Sequence, residues 1–163
     1  MTLTATATDN VGVTEVRFFV DGTQLGSDTT APYSFDWDTA AATDGDHVLR
    51  AEAADAAGNV TQSAEVTVTV RNTIQLTVAL SGQEEVPPIN SQGTAQANLT
   101  VNLVTGGVQG DLTVTGITPT AAHIHDAFAG VNGPVLVPLD QDAGDPSLFS
   151  VPAAATLDAA GID

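Results

Sequence analysis

The chain has 163 residues, of which 42% are hydrophobic and only 4% are aromatic. This is enough apolar material to bury a core in one large domain or two small ones, and it argues against wholesale disorder. The formal charge of −17, from 20 acidic residues against three arginines, gives a surface that repels nucleic acid and anionic lipid.

The sequence contains no cysteine, which excludes disulfide bonds and thiolate chemistry. Residues 1–4 show neither the basic nor the apolar region of a signal peptide. No apolar run reaches the roughly 18 residues that a membrane helix needs. We therefore expect no membrane insertion and no nucleic-acid partner, and an exported protein would carry its targeting signal outside this sequence.

Apolar and polar residues alternate with a period of two through the first 71 residues, which predicts short β-strands. Asp21-Gly22 is typical of a tight hairpin turn between two of them. Trp37 and Phe35 are predicted to anchor the core, and His47 is interpreted as a residue at the start of a strand. The rows predicted to face inward are Leu3, Ala5 and Ala7; Val16, Phe18 and Val20; Tyr33, Phe35 and Trp37; Leu49, Ala51 and Ala53; and Val66, Val68 and Val70.

A polar break at Arg71-Asn72-Thr73 precedes a second series of predicted strands. One strand runs from Ile74 to Leu80, and a longer one runs from Ala95 to Leu103. Thr105-Gly106-Gly107 turns the chain into a third strand at 108–115. We therefore predict an all-β chain of two β-sandwich domains in tandem. The expected domains are residues 1–71 and 74–163, joined by a tight linker at 72–73.

The first domain contains four characteristic stretches, at Asp9-Asn10, Val16 to Gly22, Ala31-Pro32-Tyr33, and Asp55 to Asn59. By these stretches it resembles a bacterial immunoglobulin-like domain, a type that recurs in tandem arrays of secreted and cell-surface proteins. Domains of this type usually contain a further strand before the segment that here begins at Leu3. The resemblance therefore implies that the N-terminal strand is missing from this sequence.

Three residues in this domain, Asp9, Asp55 and Asn59, are candidate calcium ligands. Oxygen atoms on neighbouring loops suit Ca²⁺, which takes six to eight of them. Asp and Asn also favour tight turns without any metal. Because no single loop has EF-hand spacing, we favour the turn interpretation and keep calcium as the alternative.

The second domain contains two blocks of characteristic residues, at Ser81-Gly82, Glu85-Val86-Pro87-Pro88 and Gly93, and at Ala122-His123-Ile124-His125 and Gly130 through Val135. By these blocks it resembles the CHRD domain, a β-rich module found in chordin and in bacterial secreted proteins. The resemblance implies a Greek-key sandwich similar to that of superoxide dismutase. It also implies a closing pair of strands, with a further histidine, that this sequence does not contain.

His123 and His125 are candidate ligands of a transition metal. Residues i and i+2 of a strand project from the same face, and imidazole suits Cu²⁺, Zn²⁺ or Ni²⁺. Asp126 follows immediately, and Glu85 or its neighbour Glu84 could approach from the first loop of this domain to complete the site. The alternative is that both histidines face solvent or bond a neighbouring loop, and this alternative is favoured because no third histidine is near.

The sequence thus predicts a secreted or cell-surface protein with a structural or adhesive role, in which an immunoglobulin-like spacer presents a CHRD module to other protein domains. The first alternative is a copper- or zinc-binding module, and the second is a filament subunit assembled by strand donation. The HIH segment also resembles the metal-binding strand of copper-zinc superoxide dismutases. A copper-dependent redox enzyme is disfavoured, because no basic residue follows Arg71 to steer an anionic substrate.

Overall fold

The computed structural model describes residues 1–128 and 130–157, and nearly all of their regular structure is β-strand. The chain divides into two compact units, Met1–Arg71 (unit 1) and Asn72–Asp163 (unit 2). The described residues contain fourteen strands, one short 3₁₀ turn at Thr39–Ala41 and no α-helix. The predicted all-β class is confirmed.

Unit 1 contains seven strands arranged in two sheets. One sheet pairs β1 with β4, and the other has the order β3-β2-β5-β6 with β7 also paired to β5. The eleven-residue β5 therefore holds three neighbours, and it is the central strand of the unit. The strands are β1 (Thr2–Ala5), β2 (Val13–Val20), β3 (Thr23–Asp28), β4 (Tyr33–Asp36), β5 (Gly45–Asp55), β6 (Val60–Gln62) and β7 (Val66–Val70).

The turn between β2 and β3 has the predicted geometry. Asp21 and Gly22 both take a positive φ, of 50° and 78°. Two consecutive positive values are the signature of a two-residue hairpin whose twist matches that of the flanking strands. The predicted hairpin is confirmed.

The core of unit 1 is formed by the inward-facing rows of β1, β2, β4 and β7. Trp37 is buried, as predicted, whereas Phe35 is only half-buried and stacks on Phe18 with ring centroids 6.2 Å apart. Phe35 thus lies at the margin of the core. The buried members are Leu3, Val16, Phe18, Val20, Tyr33, Trp37 and Val70.

One polar side chain, His47, is buried beside this core. Its Nδ1 lies 2.6 Å from Asp21 Oδ2, and its Nε2 lies 2.9 Å from the carbonyl oxygen of Thr43. Both neighbours are acceptors, and only a protonated imidazole can donate to two acceptors at once. The edge of the ring packs against Trp37, with centroids 5.4 Å apart. Asp21 also accepts the N–H of Val48 at 2.8 Å, so the hairpin is tied to β5.

Unit 2 also contains seven strands in two sheets. Five strands form a sheet of order β13-β14-β10-β9-β8, and β11 pairs with β12. The strands are β8 (Thr73–Ser81), β9 (Thr94–Asn102), β10 (Val108–Thr115), β11 (His123–His125), β12 (Val135–Pro138), β13 (Asp140–Gln141) and β14 (Leu148–Ser150). The Greek-key connection of this unit stays a prediction, and its final residues, 158–163, lie outside the described part.

The turn between β9 and β10 occurs at Thr105-Gly106-Gly107, as predicted. The side chain of Asn102 accepts the N–H groups of Val104 and Thr105, each at 2.9 Å, and Gly106 has a φ of 73°. The small core of the unit lies on one face of the five-stranded sheet, against Ala122 and Leu139. Its buried members are Ala97, Leu112, Val114 and Phe149.

The contacts of His47 predict a pH-dependent stability of unit 1. The hydrogen bonds to the Thr43 carbonyl and the Asp21 carboxylate raise the pKa of His47 above its ordinary value. The N–H of Val48 and the imidazolium of His47 lower the pKa of Asp21, so this carboxylate stays ionised at neutral pH. The stabilisation is therefore complete below about pH 6.5, and it is lost as the pH rises through the raised pKa of His47.

We expect His47→Gln to destabilise unit 1 most near pH 6, with a difference from the wild type that shrinks towards pH 9. Chemical unfolding followed by Trp37 fluorescence measures this difference, because Trp37 is the single tryptophan. The exposed His125→Gln is the control and should leave unit 1 unchanged at every pH. A His47→Gln difference of constant size from pH 6 to 9 would contradict the assignment.

Candidate functional site

The two histidines of the HIH motif lie on β11, the short strand that pairs with β12. Both side chains are exposed, while Ile124 between them is half-buried, so the histidines share the outer face. Their ring centroids are 5.8 Å apart and the rings are nearly perpendicular. At this separation one nitrogen from each ring can reach the same ion, since a metal–nitrogen bond measures about 2.1 Å.

A hydrogen bond fixes the orientation of His125. Its Nδ1 lies 2.9 Å from the carbonyl oxygen of Gly133, so Nδ1–H donates and Nε2 carries the free lone pair. Metal-binding histidines commonly donate their second ring nitrogen to a backbone carbonyl in this way. His125 is therefore oriented as a ligand would be, and it is equally well explained as a side chain that bonds the neighbouring loop.

The carboxylates expected to complete this site are not gathered around the two histidines. The described residues contain no group of three or more His, Cys, Asp or Glu side chains that could hold a metal ion. Glu84, which precedes the expected ligand Glu85, folds back on its own loop. Its Oε2 accepts hydrogen bonds from the hydroxyl and the N–H of Ser81. These bonds, the hydroxyl first, lower the pKa of Glu84. What the structure places together is a two-histidine pair, and the roles of Asp126 and Glu85 stay predictions.

The loop that follows the HIH strand is held at its base and presents an aromatic side chain. The N–H of Asp126 donates to the Pro134 carbonyl, and Asn132 Nδ2 donates to the Val86 carbonyl at 2.8 Å. The loop is thereby tied both to itself and to the Glu-Val-Pro-Pro segment. Phe128 stands on it with 90% of its surface exposed. Among the large apolar side chains that the structure describes, Phe128 is the most exposed, and its ring is costly to leave in water.

The three candidate calcium ligands of unit 1 are engaged in turns. Asp9 Oδ1 accepts the N–H groups of Val11 and Gly12, and these bonds, Gly12 first, lower the pKa of Asp9. Asp55 accepts the side-chain amide and the N–H of Asn59, which lower the pKa of Asp55. The negative charge of Asp55 acts in the opposite direction on the pKa of Asp9 and is outweighed by the bonds from Gly12 and Val11. These bonds are those of Asx turns, and calcium binding stays a prediction.

A groove of about 770 Å³ opens within unit 1 between the first nine residues and the segment 59–66. The burial of one face of β7 decreases towards this groove: Val70 is buried and Val68 is half-buried, whereas Val66 is 56% exposed. Among the described residues β1 pairs only with β4, and β6 and β7 pair only with β5. Strands that do not pair with each other therefore flank the groove, and Asp9 and Asp55 are among the residues that line it.

Neither the groove nor the exposed Phe128 was predicted from the sequence. The row Val66, Val68 and Val70 was recognised as inward-facing, but alternation alone does not show which of its members a neighbouring strand covers. For Phe128 a signal was present, since it interrupts a run of small and polar residues between His125 and the glycine-bearing turn.

The family comparisons agree with this architecture. Residues 76–162 match the CHRD domain, and residues 1–51 match a bacterial Ig domain. The first match spans more than half of the chain, and the chain belongs to the CHRD domain family. The predicted order of the two domain types is confirmed. A search of curated proteins finds no match. Across the described residues, no helix is long and apolar enough to cross a membrane.

Proposed function

We propose that this chain is a structural or adhesive part of a secreted or cell-surface protein, in which an immunoglobulin-like spacer presents a CHRD domain to other proteins. Both domain types are typical of extracellular proteins. A formal charge of −17 keeps such a protein soluble and well separated from anionic surfaces. The proposal concerns protein contacts, because no nucleic acid or membrane partner suits this charge.

The observation that carries the adhesive role is Phe128 on its pinned loop. Aromatic side chains are enriched among the residues that dominate protein–protein binding energy. The hydrogen bonds of Asp126 and Asn132 hold the two ends of this loop, and such restraint lowers the conformational entropy that is lost when a partner binds. Phe128 is therefore suited to insert into an apolar pocket of another protein.

Transition-metal binding by His123 and His125 is the second candidate. It is favoured by the shared face, the 5.8 Å ring separation and the hydrogen bond from His125 to Gly133. When bound, the ion would take one nitrogen from each ring and fill its remaining positions with water or with a ligand from a partner. Copper and zinc are the metals that fit two exposed imidazoles.

Assembly by strand donation is the third candidate, and the groove of unit 1 favours it. A strand from a neighbouring subunit would pair with the free edge of β1 and cover Val66 with its own apolar row. The lining is rich in alanine, so small or medium apolar side chains fit best. Repetition of this contact from subunit to subunit is open-ended and would give a filament.

The proposed location predicts that the protein is accessible on intact cells of its source organism. We expect antibodies raised against the chain to label unpermeabilised cells or the culture medium, and protease added outside the cells to remove the label. A cytoplasmic protein probed in parallel controls for lysis. Label that appears only after permeabilisation would contradict the proposal.

The HIH pair predicts a metal signal that depends on both histidines. We expect calorimetric titration to show Cu²⁺ or Zn²⁺ binding that weakens at least tenfold in His123→Ala and is lost in the His123→Ala/His125→Ala variant, because one exposed imidazole binds weakly. Asp126→Asn and Glu85→Gln show whether carboxylates contribute. Equal, weak binding by the wild type and the double variant would mean that the histidines only support the loop.

The strand-donation proposal predicts that a charge in the groove blocks growth of the filament. Val66→Lys should abolish species larger than a dimer in sedimentation and electron microscopy, because the lysine would be buried under the donated strand. Val60→Lys is the matched control, since Val60 is similarly exposed (48%) but lies outside the groove lining. Equal growth of both variants, or a wild type that never exceeds a dimer, would contradict donation.

A further inference from the structure

In the described part of the chain, the strand β8 forms an unprotected edge of the five-stranded sheet. It pairs with β9 alone, over nine residues without a register shift. From Thr73 to Ser81 it contains no charged residue, no proline and no glycine. Charges, prolines and bulges are the devices by which natural edge strands avoid pairing with other chains. β8 has none of them.

The direction of its backbone groups follows from one hydrogen bond. The N–H of Leu103 donates to the Asn72 carbonyl at 2.8 Å, just before β8 begins. Because backbone groups alternate in direction along a strand, the backbone groups of Leu76 and Val78 face β9. Those of Gln75, Thr77 and Ala79 point to the open edge. The open stretch from Gln75 to Ala79 ends before Ser81, because Glu84 accepts a hydrogen bond from the N–H of Ser81.

The apolar face of β8 is also uncovered. Leu76, Val78 and Leu80 share one face and are 42%, 39% and 40% exposed. Ala97, which lies opposite Val78 on β9, is buried under the remainder of the core. The residues that cover this face of the sheet thus extend over β9 but not over β8. A strip of exposed apolar side chains therefore runs beside the outward-facing backbone groups of Gln75, Thr77 and Ala79.

We propose that β8 pairs with β8 of a second copy of this chain, antiparallel and with the two-fold axis at Thr77. This register places Thr77 opposite itself, Gln75 opposite Ala79, and Leu76 opposite Val78 of the second copy. The outward-facing residues then form the hydrogen-bonded pairs. The apolar residues occupy the alternating positions, where opposing side chains lie closest. The apolar strips of the two copies then lie on the same face, and the two five-stranded sheets join into one continuous sheet.

Charge selects this edge for self-association. Each copy carries a formal net charge of −17, so most pairs of surfaces repel each other. The nine residues of β8 are neutral, so β8 of one copy can lie beside β8 of another without bringing two carboxylates together. Added salt screens the repulsion between the remaining parts of the two copies. Dimerisation should therefore strengthen as the NaCl concentration rises.

The size of the contact sets its strength. Stable interfaces bury about 800 Å² on each partner, and one strand edge with a narrow apolar strip buries less. The dimer is therefore expected to be weak and concentration-dependent. The two-fold axis closes the dimer, so this contact does not extend into a filament. The dimer uses unit 2, whereas the groove lies in unit 1, so the result for one proposal does not decide the other.

Cysteine scanning tests the register, because the full chain contains no cysteine of its own. In the proposed dimer the two Thr77 Cα atoms are about 5.5 Å apart, within disulfide range, whereas the two Gln75 Cα atoms are roughly 14 Å apart. Thr77→Cys should cross-link under mild oxidation and Gln75→Cys should not. Thr113→Cys is the control, since Thr113 is exposed on the same face but on the inner strand β10.

Charge exchange gives an independent readout by sedimentation equilibrium of the full chain. Thr77→Lys and Thr77→Glu should each be monomeric, because like charges would stand opposite each other, and an equimolar mixture should recover the dimer. Thr113→Lys should dimerise as the wild type does. A wild type that is monomeric at every concentration and salt level would overturn the proposal, as would equal cross-linking at positions 75 and 77.

Discussion

Hydrogen bonding between strands is the constraint on which both units depend, since no α-helix in the described residues satisfies backbone groups locally. Each buried N–H and C=O must find a partner on a neighbouring strand. Unit 1 meets this demand with β5, which pairs with three strands, and unit 2 meets it with the long pairs of β9 with β8 and β10. The sheets leave their edges unpaired, and both the proposed strand donation and the proposed β8 dimer follow from those edges.

The small size of the core side chains explains why the functional candidates lie at the surface. Val and Ala fill most inward positions, and the few aromatic residues are concentrated around Trp37 in unit 1. Such thin cores leave little room for an enclosed ligand site. The buried His47 is a structural exception, because its two hydrogen bonds tie the β2–β3 hairpin to the segment that leads into β5. The surface features are the HIH face, the Phe128 loop, the groove and the edge of β8.

Much of the fold could be predicted because local chemistry determines it. The positive φ of Asp21-Gly22 is a property of those two residues. The strand at 108–115 is bounded by glycine-containing turns that form whatever the tertiary surroundings are. Alternation also identified the correct inward faces. It could not show that Val66 is uncovered while Val70 is buried, because burial depends on which strand lies across the face.

The candidate metal site shows the same limit. Strand periodicity placed His123 and His125 on one face, which the structure bears out. The hydrogen bond from Ser81 to Glu84, by contrast, depends on how a loop closes, and the alternation of residues along a strand does not predict loop closure. Ligands that must arrive from other loops are decided by the tertiary fold, and Asp126 and Glu85 belong to this class.

The account depends most on the open edge of β8, and amide hydrogen exchange followed residue by residue tests it directly. In dilute protein the amides of Gln75, Thr77 and Ala79 should exchange rapidly, while those of Leu76 and Val78, which face β9, stay protected. Protection should spread to the first group as the protein concentration rises. Equal protection of all five amides in dilute protein would show that the edge is already covered, and it would contradict the account.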